Sequence, residues 1–390
     1  MSGCSGEIAL RHPDLPGGWT FSELDQRARE LTIPSTGYAT AHGDSLDFFP
    51  TILAAWKKNL PVLILESYHT HPMPIHTEIP TGTALIKQTC GASGVERSLF
   101  FGEHELLAEG RRNRHGLELD PSVRGIAAIS LAHSYGFGCL ALPLLLEGIP
   151  VDVLTSPLPV FIQQALEKKG RFFLPGVPAL WKTWWLTKAL DGGSIHLALS
   201  AGAPLSSALE LGLWNDTGIK LHNFYGTTET GAVAYDTSGT PRTDGMLVGK
   251  ILDGVEVTTS DDGRILVKTN ARAMGSDSLL SADEFSRSHY QTMDLGQVDG
   301  DQLFWHDHVG QAINVAGRKV SPDKIKRVCL ATPGVIDAEV TSTRSRDYER
   351  FEEVSVKLRL MSDHDLKPIK HMVYERLESW EVPRHWELMH

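Results

Sequence analysis

Apolar residues recur along this chain at two spacings, and the spacing sorts the segments. Phe21–Leu31 reads as a short amphipathic helix, and Ser45–Lys58 as another, with apolar positions every three or four residues. Pro61–Leu65 is a short apolar run of strand type. Strands and helices then alternate through Gly125–Leu131, Ala141–Leu146, Val151–Leu154, Val160–Lys168, Arg171–Leu174 and Ala179–Ala189. Such alternation predicts an α/β layer structure. After about residue 235 the texture changes. Val248–Val257 and Gly263–Thr269 read as short strands, with Asp-Gly turns at Asp253-Gly254 and Asp262-Gly263, which predicts a small β unit. From about residue 310 a compact α+β module follows. Its strands are expected around Ala312–Val315, Asp337–Thr343 and Glu353–Leu360, and its helices at Pro322–Ala331 and Leu366–Ser379. The expected fold class is α/β: a large N-terminal α/β region with a small β unit (1–306), then a small, mobile α+β C-terminal domain (307–390). The hinge is expected at His306–Gln311.

Composition narrows the function classes. With 390 residues and 41% hydrophobic content, the chain has material for a large core and two domains. A net charge of −11 and the lack of a basic cluster argue against nucleic-acid binding. Cys4, Cys90, Cys139 and Cys329 are far apart and form no metal or redox pair, so they read as reduced thiols of a cytoplasmic protein. The N-terminal residues lack the basic-then-apolar pattern of a signal peptide. The most apolar stretch, Cys139–Leu154, is broken by Glu147, Gly148 and Pro150 and is too short for a membrane span.

The run Asn223-Phe224-Tyr225-Gly226-Thr227-Thr228-Glu229-Thr230-Gly231 carries the densest chemistry. It follows a strand-like stretch, and open α/β sheets place their ligand crevice where strands end. A tyrosine can cover a purine face. Threonine hydroxyls and glycine N–H groups can hold phosphate oxygens. A glutamate beside them can hold Mg²⁺. A polar Thr/Gly turn is the plainer reading of the same residues. Three other segments bear on the choice. Ser200-Ala201-Gly202-Ala203-Pro204-Leu205 follows the apolar strand Ile195–Leu199. Tyr290-Gln291-Thr292-Met293-Asp294-Leu295-Gly296 and Ile313-Asn314-Val315-Ala316-Gly317-Arg318-Lys319-Val320-Ser321-Pro322 come later.

In that order and spacing the segments resemble the adenylate-forming superfamily: acyl- and aryl-CoA ligases, adenylation domains of peptide synthetases, and luciferases. The likeness begins near Trp19-Thr20-Phe21-Ser22-Glu23-Leu24 and runs almost to the C-terminus. It implies activation of a carboxylic acid with ATP to an acyl-adenylate, then transfer of the acyl group to the thiol of CoA or of a phosphopantetheine on an acyl carrier protein. It also implies site roles. Gly202, Ala203, Pro204 and Tyr225 would flank adenine, with Asn223 and Gly226 in the same nucleotide-binding run. Thr228 would hold the α-phosphate and Glu229 the Mg²⁺. Asp294 would accept hydrogen bonds from the ribose hydroxyls, a task suited to a carboxylate; a turn carboxylate is the plainer reading. His133, before Ser134-Tyr135-Gly136-Phe137-Gly138, would line the acid pocket or be a structural histidine. Pro175–Pro178 and Trp181 would form another pocket wall or plain core.

Three departures stand out. The phosphate loop corresponds to Thr89-Cys90-Gly91-Ala92-Ser93-Gly94-Val95-Glu96-Arg97, where Thr89, Gly91, Ser93 and Gly94 survive. Glu96 replaces a proline and Arg97 a lysine, which keeps the charge but changes its geometry. His308 stands where the family has an arginine near ribose, and Gly310 where it has the hinge aspartate. Trp380-Glu381-Val382-Pro383-Arg384-His385 resembles the stretch before the family's closing lysine, and the sequence stops at His390 ahead of that position. A slow adenylation half with a surviving thioester half is therefore expected. The alternative is a non-catalytic nucleotide- or acyl-binding partner protein in a biosynthetic pathway.

Overall fold

A computed structural model describes residues 6–66, 74–90, 96–190, 195–278, 284–308, 313–330, 332–345, 351–360 and 365–389. Among them, thirteen strands join into one large sheet and five into a second. The first half of the large sheet is built on parallel pairings. It places Ile195–Ser200 between Arg171–Gly176 and Leu221–Thr227, and Val123–Ala127 between Arg171–Gly176 and Val151–Val153. Its strands read as continuous apolar runs because both faces are covered. Phe173, Leu174, Leu199 and Leu221 are fully buried.

Leu221–Thr227 is the seam of this sheet. It runs parallel to Ile195–Ser200 on one side (Leu199 opposite His222) and antiparallel to Gly231–Tyr235 on the other (Tyr225 opposite Ala234). The turn between its end and Gly231 is tight. Thr230 N–H donates to Thr227 Oγ1 at 3.3 Å, and a Cβ on Gly226 would collide with the Gly231 carbonyl. Beyond the seam all pairings are antiparallel: Leu247–Ile251 with Gln302–His308, that strand with Tyr290–Asp299, and Arg264–Thr269 with Val255–Thr259. The small β unit expected after residue 235 is therefore a continuation of the main sheet through Gly231–Tyr235.

The second sheet runs Ala39–His42, Val62–Leu65, Thr83–Cys90, Glu96–Gly102, Gly275–Ser276. The segment read as a phosphate loop connects the antiparallel pair Thr83–Cys90 and Glu96–Gly102. Helix Phe21–Glu30 starts at a capping box, in which Thr20 Oγ1 accepts from Glu23 N–H and Glu23 Oε2 accepts from Thr20 N–H. Helix Phe48–Lys57 buries Phe48, Phe49 and Ile52. Helix Glu103–Gly116 has no simple apolar face, and buries Glu109, Arg112 and Asn113 with Leu106.

Residues from 313 onward have their own core. Val335–Arg344 pairs antiparallel with Glu352–Leu360, which accepts His385–Leu388 in parallel. Ile325 and Cys329 from helix Pro322–Leu330, and Ile369 and Val373 from helix Leu366–Tyr374, pack on Ala338, Val356 and Leu358. No helix among the described residues is long and apolar enough to cross a membrane.

Candidate active site

The ends of the central strands, the hairpin after Leu221–Thr227 and the turn Val315–Arg318 enclose one cleft, with a cavity volume of about 320 Å³. Most residues singled out from the sequence line it: Thr89, His133, Gly202, Ala203, Pro204, Asn223, Tyr225, Gly226, Thr228, Glu229 and Asp294. Gly91, Ser93 and Gly94 lie outside the described residues, as do the side chains of Glu96 and His308. The His308 backbone pairs opposite Asp294.

Asp294 is held from two sides. The Tyr225 hydroxyl donates to Oδ2 at 2.8 Å, and Trp305 Nε1 donates to Oδ1 at 3.1 Å. Thr292 Oγ1 accepts from the Asp294 N–H at 3.1 Å and donates to the Ile265 carbonyl, so backbone and carboxylate are both fixed. Burial, reinforced by Asp294, pushes the Tyr225 phenol well above its ordinary range, so it stays protonated and donates. A carboxylate oxygen can accept more than one hydrogen bond, so the group is chemically suited to ligand hydroxyls. Trp305 was not foreseen. Its place on an alternating strand was visible, but its partner across the ladder was not.

Across the cleft, Gly202 and Gly317 face each other, both left-handed (φ +81° and +87°). A Cβ on Gly317 would sit 3.0 Å from the Gly202 carbonyl oxygen, so the approach needs glycine. The turn after Ile313–Val315 thus docks on the Gly202–Pro204 segment. Arg318 lies over the Trp380 ring (4.0 Å) and 3.6 Å from Glu66. Lys319 sits beside Asp294, Glu352 and Glu229. Burial lowers its pKa, and these three acids oppose the shift.

His133 caps the helical turn Ser134–Gly136. Its Nδ1 accepts from the Tyr135 N–H at 3.3 Å, which leaves the neutral ring its proton on Nε2. Burial lowers the His133 pKa, with Arg318 and Lys87 adding to the shift and Glu66 opposing it. The following turn, Phe137–Ala141, is π-helical, and it carries Gly138 and Cys139 into the cleft wall. Trp181 is fully buried and donates to the Leu199 carbonyl at 3.0 Å. It acts as core under the cleft.

Arg97 is turned toward Glu229. Its Nη2 donates to Glu229 Oε1 at 2.7 Å and to the Tyr290 hydroxyl at 3.0 Å, and Nη1 donates to Glu284 Oε2 at 2.8 Å. Burial alone would lower the Arg97 pKa. Glu229 and the other partners outweigh it and raise it, so the charge is permanent. The Mg²⁺ implied at Glu229 does not fit this arrangement, because a guanidinium already occupies the carboxylate and would repel a metal ion. Among the described residues, no group of three or more His, Cys, Asp or Glu side chains is placed to hold one.

Residues 104–273 match the family model described as AMP-binding enzyme. The 4-coumarate--CoA ligase-like 2 of Arabidopsis thaliana is 26% identical over 337 residues, covering 74% of this chain and 59% of the relative. The solved o-succinylbenzoate CoA synthetase MenE of Bacillus subtilis superposes with a TM-score of 0.81 at 17% identity, over 98% of this chain and 92% of that one. The amide bond synthetase McbA of Marinactinospora thermotolerans gives 0.79 at 20% identity, over 98% and 93%. At such identities the solved structures establish the fold. The chain spans 59%, 56% and 53% of the length of three curated relatives it matches. The resemblance to the adenylate-forming superfamily thus holds. Its similarity to AMP-binding enzymes spans residues 104–273, and the curated proteins it resembles include acyl-CoA ligases.

Proposed function

We propose that this protein is an acyl- or aryl-acid ligase homologue that holds an acyl-adenylate in the cleft and passes its acyl group to the thiol of CoA or of a carrier-protein phosphopantetheine. The observation that carries this reading is the Tyr225–Asp294–Trp305 network, with hydrogen bonds of 2.8 and 3.1 Å opposite Gly202–Pro204. It offers a preorganised carboxylate to a pair of vicinal hydroxyls, with backbone and an aromatic ring to bracket a purine.

In the transfer step the thiolate sulfur attacks the acyl carbonyl carbon. The C–S bond forms, the bond from that carbon to the phosphate oxygen breaks, and AMP leaves with the electron pair. The thiol proton goes to water. The Nε2–H of His133 is suited to stabilise the developing oxyanion. Thr228 and Lys319 are suited to hold the leaving phosphate, one by a hydroxyl hydrogen bond and the other by charge. Docking of Gly317 on Gly202 would exclude water from the reactive adenylate.

The adenylation half is the weaker half in this reading. The carboxylate that would hold a metal for ATP is bound to Arg97 instead. That same pairing favours a second reading, a nucleotide- or acyl-binding partner without turnover. The test supplies synthetic acyl-adenylates with CoA or pantetheine and compares thioester formation with ATP–pyrophosphate exchange. Fast thioester formation with weak exchange is expected. Tight acyl-adenylate binding with neither reaction above background would establish the second reading.

A further inference from the structure

Three buried polar groups in the cleft wall lack the partners that buried groups ordinarily have. Lys87 interrupts the apolar strand Thr83–Cys90, and its side chain is 2% exposed. Its ammonium lies over the rings of Phe101 and Phe137, 4.6 and 5.4 Å from their centroids. Glu109, on helix Glu103–Gly116, is 3% exposed. Its Oε2 is 3.7 Å from Lys87 Nζ, too far for a hydrogen bond. One turn on, Asn113 donates to the Gly138 carbonyl at 2.8 Å, which fixes its amide and leaves Oδ1 over. Among the described residues, Lys87 Nζ, Glu109 Oε2 and Asn113 Oδ1 have no hydrogen-bond partner.

The surroundings preserve this cluster. A Cβ on Gly138 would fall 2.5 Å from Glu109 Oε1, and one on Gly231 3.1 Å from the same atom, so two glycines make room for the carboxylate. Gly231 directly follows the Thr227–Thr230 turn, which ties this end of the cleft to the motif that lines its other end. Lys87 and Glu109 sum to zero charge. A charged substituent would be repelled by one of them, and a hydrocarbon end would leave both unsatisfied. A neutral group that both accepts and donates satisfies them together. A hydroxyl oxygen about 2.8 Å from each accepts from Nζ and donates to Oε2.

Taking the acyl-adenylate reading above as its basis, we propose that Lys87 and Glu109 select acids bearing a hydroxyl at the end remote from the carboxyl group. The cleft wall around them, with Tyr135, Gly138 and Cys139, takes up the chain or ring that carries it. Lys87 and Glu109 are specificity residues in this scheme and take no part in the reaction at the carboxyl carbon.

The test uses sulfamoyl-adenosine and its N-acyl derivatives in matched pairs, 6-hydroxyhexanoyl with hexanoyl and 3-(4-hydroxyphenyl)propanoyl with 3-phenylpropanoyl, titrated calorimetrically into the full chain. In at least one pair the hydroxylated probe should bind tighter by about tenfold or more. In the Lys87→Met/Glu109→Leu double variant, which keeps the volume but removes both charges, that preference should vanish or reverse while sulfamoyl-adenosine binds as before. Equal affinity within both pairs in the wild-type chain overturns the inference, even if the double variant fails to fold. So does a preference that survives in a folded double variant, or hydroxylated probes that bind no better than sulfamoyl-adenosine. Failure of sulfamoyl-adenosine itself to bind overturns the adenylate reading and, with it, the basis of this inference.

Discussion

The two ends of the cleft use buried polar groups in opposite ways. At the Asp294 end both carboxylate oxygens have donors, and even the backbone N–H is tied to Thr292. At the Lys87 end, opposite charges face each other across 3.7 Å without a shared hydrogen bond. The first arrangement costs little to maintain and is rigid before any ligand arrives. The second carries a desolvation penalty that the ion pair and the two rings offset only in part, with no hydrogen bond to Lys87 Nζ or Glu109 Oε2. A satisfied network prepares a surface for a group the ligand always has. An unsatisfied one waits for a group that only the right ligand brings.

This contrast can be broken first at its costly end. Lys87→Met alone strands a buried carboxylate and should lower folding stability by about 3–5 kcal/mol. Lys87→Met/Glu109→Leu should recover most of that loss. Urea denaturation of the wild-type chain and both variants measures this. A double variant no more stable than the single one would show that the two charges do not act as a pair.

A smaller effect is expected at the satisfied end. Asp294→Ala should weaken AMP binding by about 1.5–3 kcal/mol, the worth of hydrogen bonds to a charged group. It also frees the Tyr225 hydroxyl and Trp305 Nε1, so some loss of stability should accompany it. Calorimetry with AMP decides the matter. Unchanged affinity would remove Asp294 from the nucleotide site.

Arg97 sharpens the comparison from the phosphate side. Wild-type affinity for AMP should be the same in Mg²⁺ and in EDTA, because the Glu229 carboxylate is already paired. In Arg97→Met that carboxylate is released, and affinity should become Mg²⁺-dependent by several-fold to about tenfold. Wild-type binding that collapses in EDTA would mean that the metal displaces the guanidinium.

The smallest effect belongs to His133. Burial depresses its folded pKa below the unfolded value of about 6.5, so its contribution to stability is complete above that pH. As pH falls below about 6.5 the unfolded chain takes up a proton that the folded chain resists, and stability drops by less than about 1.4 kcal/mol per pH unit. His133→Gln should flatten that slope in denaturation curves taken between pH 7 and 5. An unchanged slope would assign it to other groups.

How much of this was legible in the sequence depended on whether the signal was local. The helix expected over Phe21–Leu31 is found at Phe21–Glu30, because Thr20 and Glu23 announce its start within four residues. Helix Pro322–Leu330 was equally plain, whereas Leu366–Tyr374 ends five residues before the expected Ser379. The β strands after residue 235 were seen, but not that they extend the main sheet, since pairing partners such as Leu247 and Phe304 lie far apart in sequence. Helix Glu103–Gly116 was missed because its buried face carries Glu109, Arg112 and Asn113, which break the apolar period. The seam motif and Asp294 were recognisable as short strings. Lys87 carried no readable local signal, because its meaning depends on Glu109 arriving from the helix.

The N-terminal hairpin bears on how this molecule is made. Ile8–His12 pairs with Leu15–Thr20 beside it, but its other edge is filled by Val151–Val153, with Arg11 opposite Asp152, 141 residues later. At the usual pace of translation the hairpin leaves the ribosome on the order of ten seconds before that partner exists. Throughout that interval an open strand edge faces the cell, ready to pair with any other extended chain. Arg11 on that edge, later 3.3 Å from an Asp152 that it shares with Arg124 and Lys168, keeps a positive charge there until the proper neighbour is synthesised.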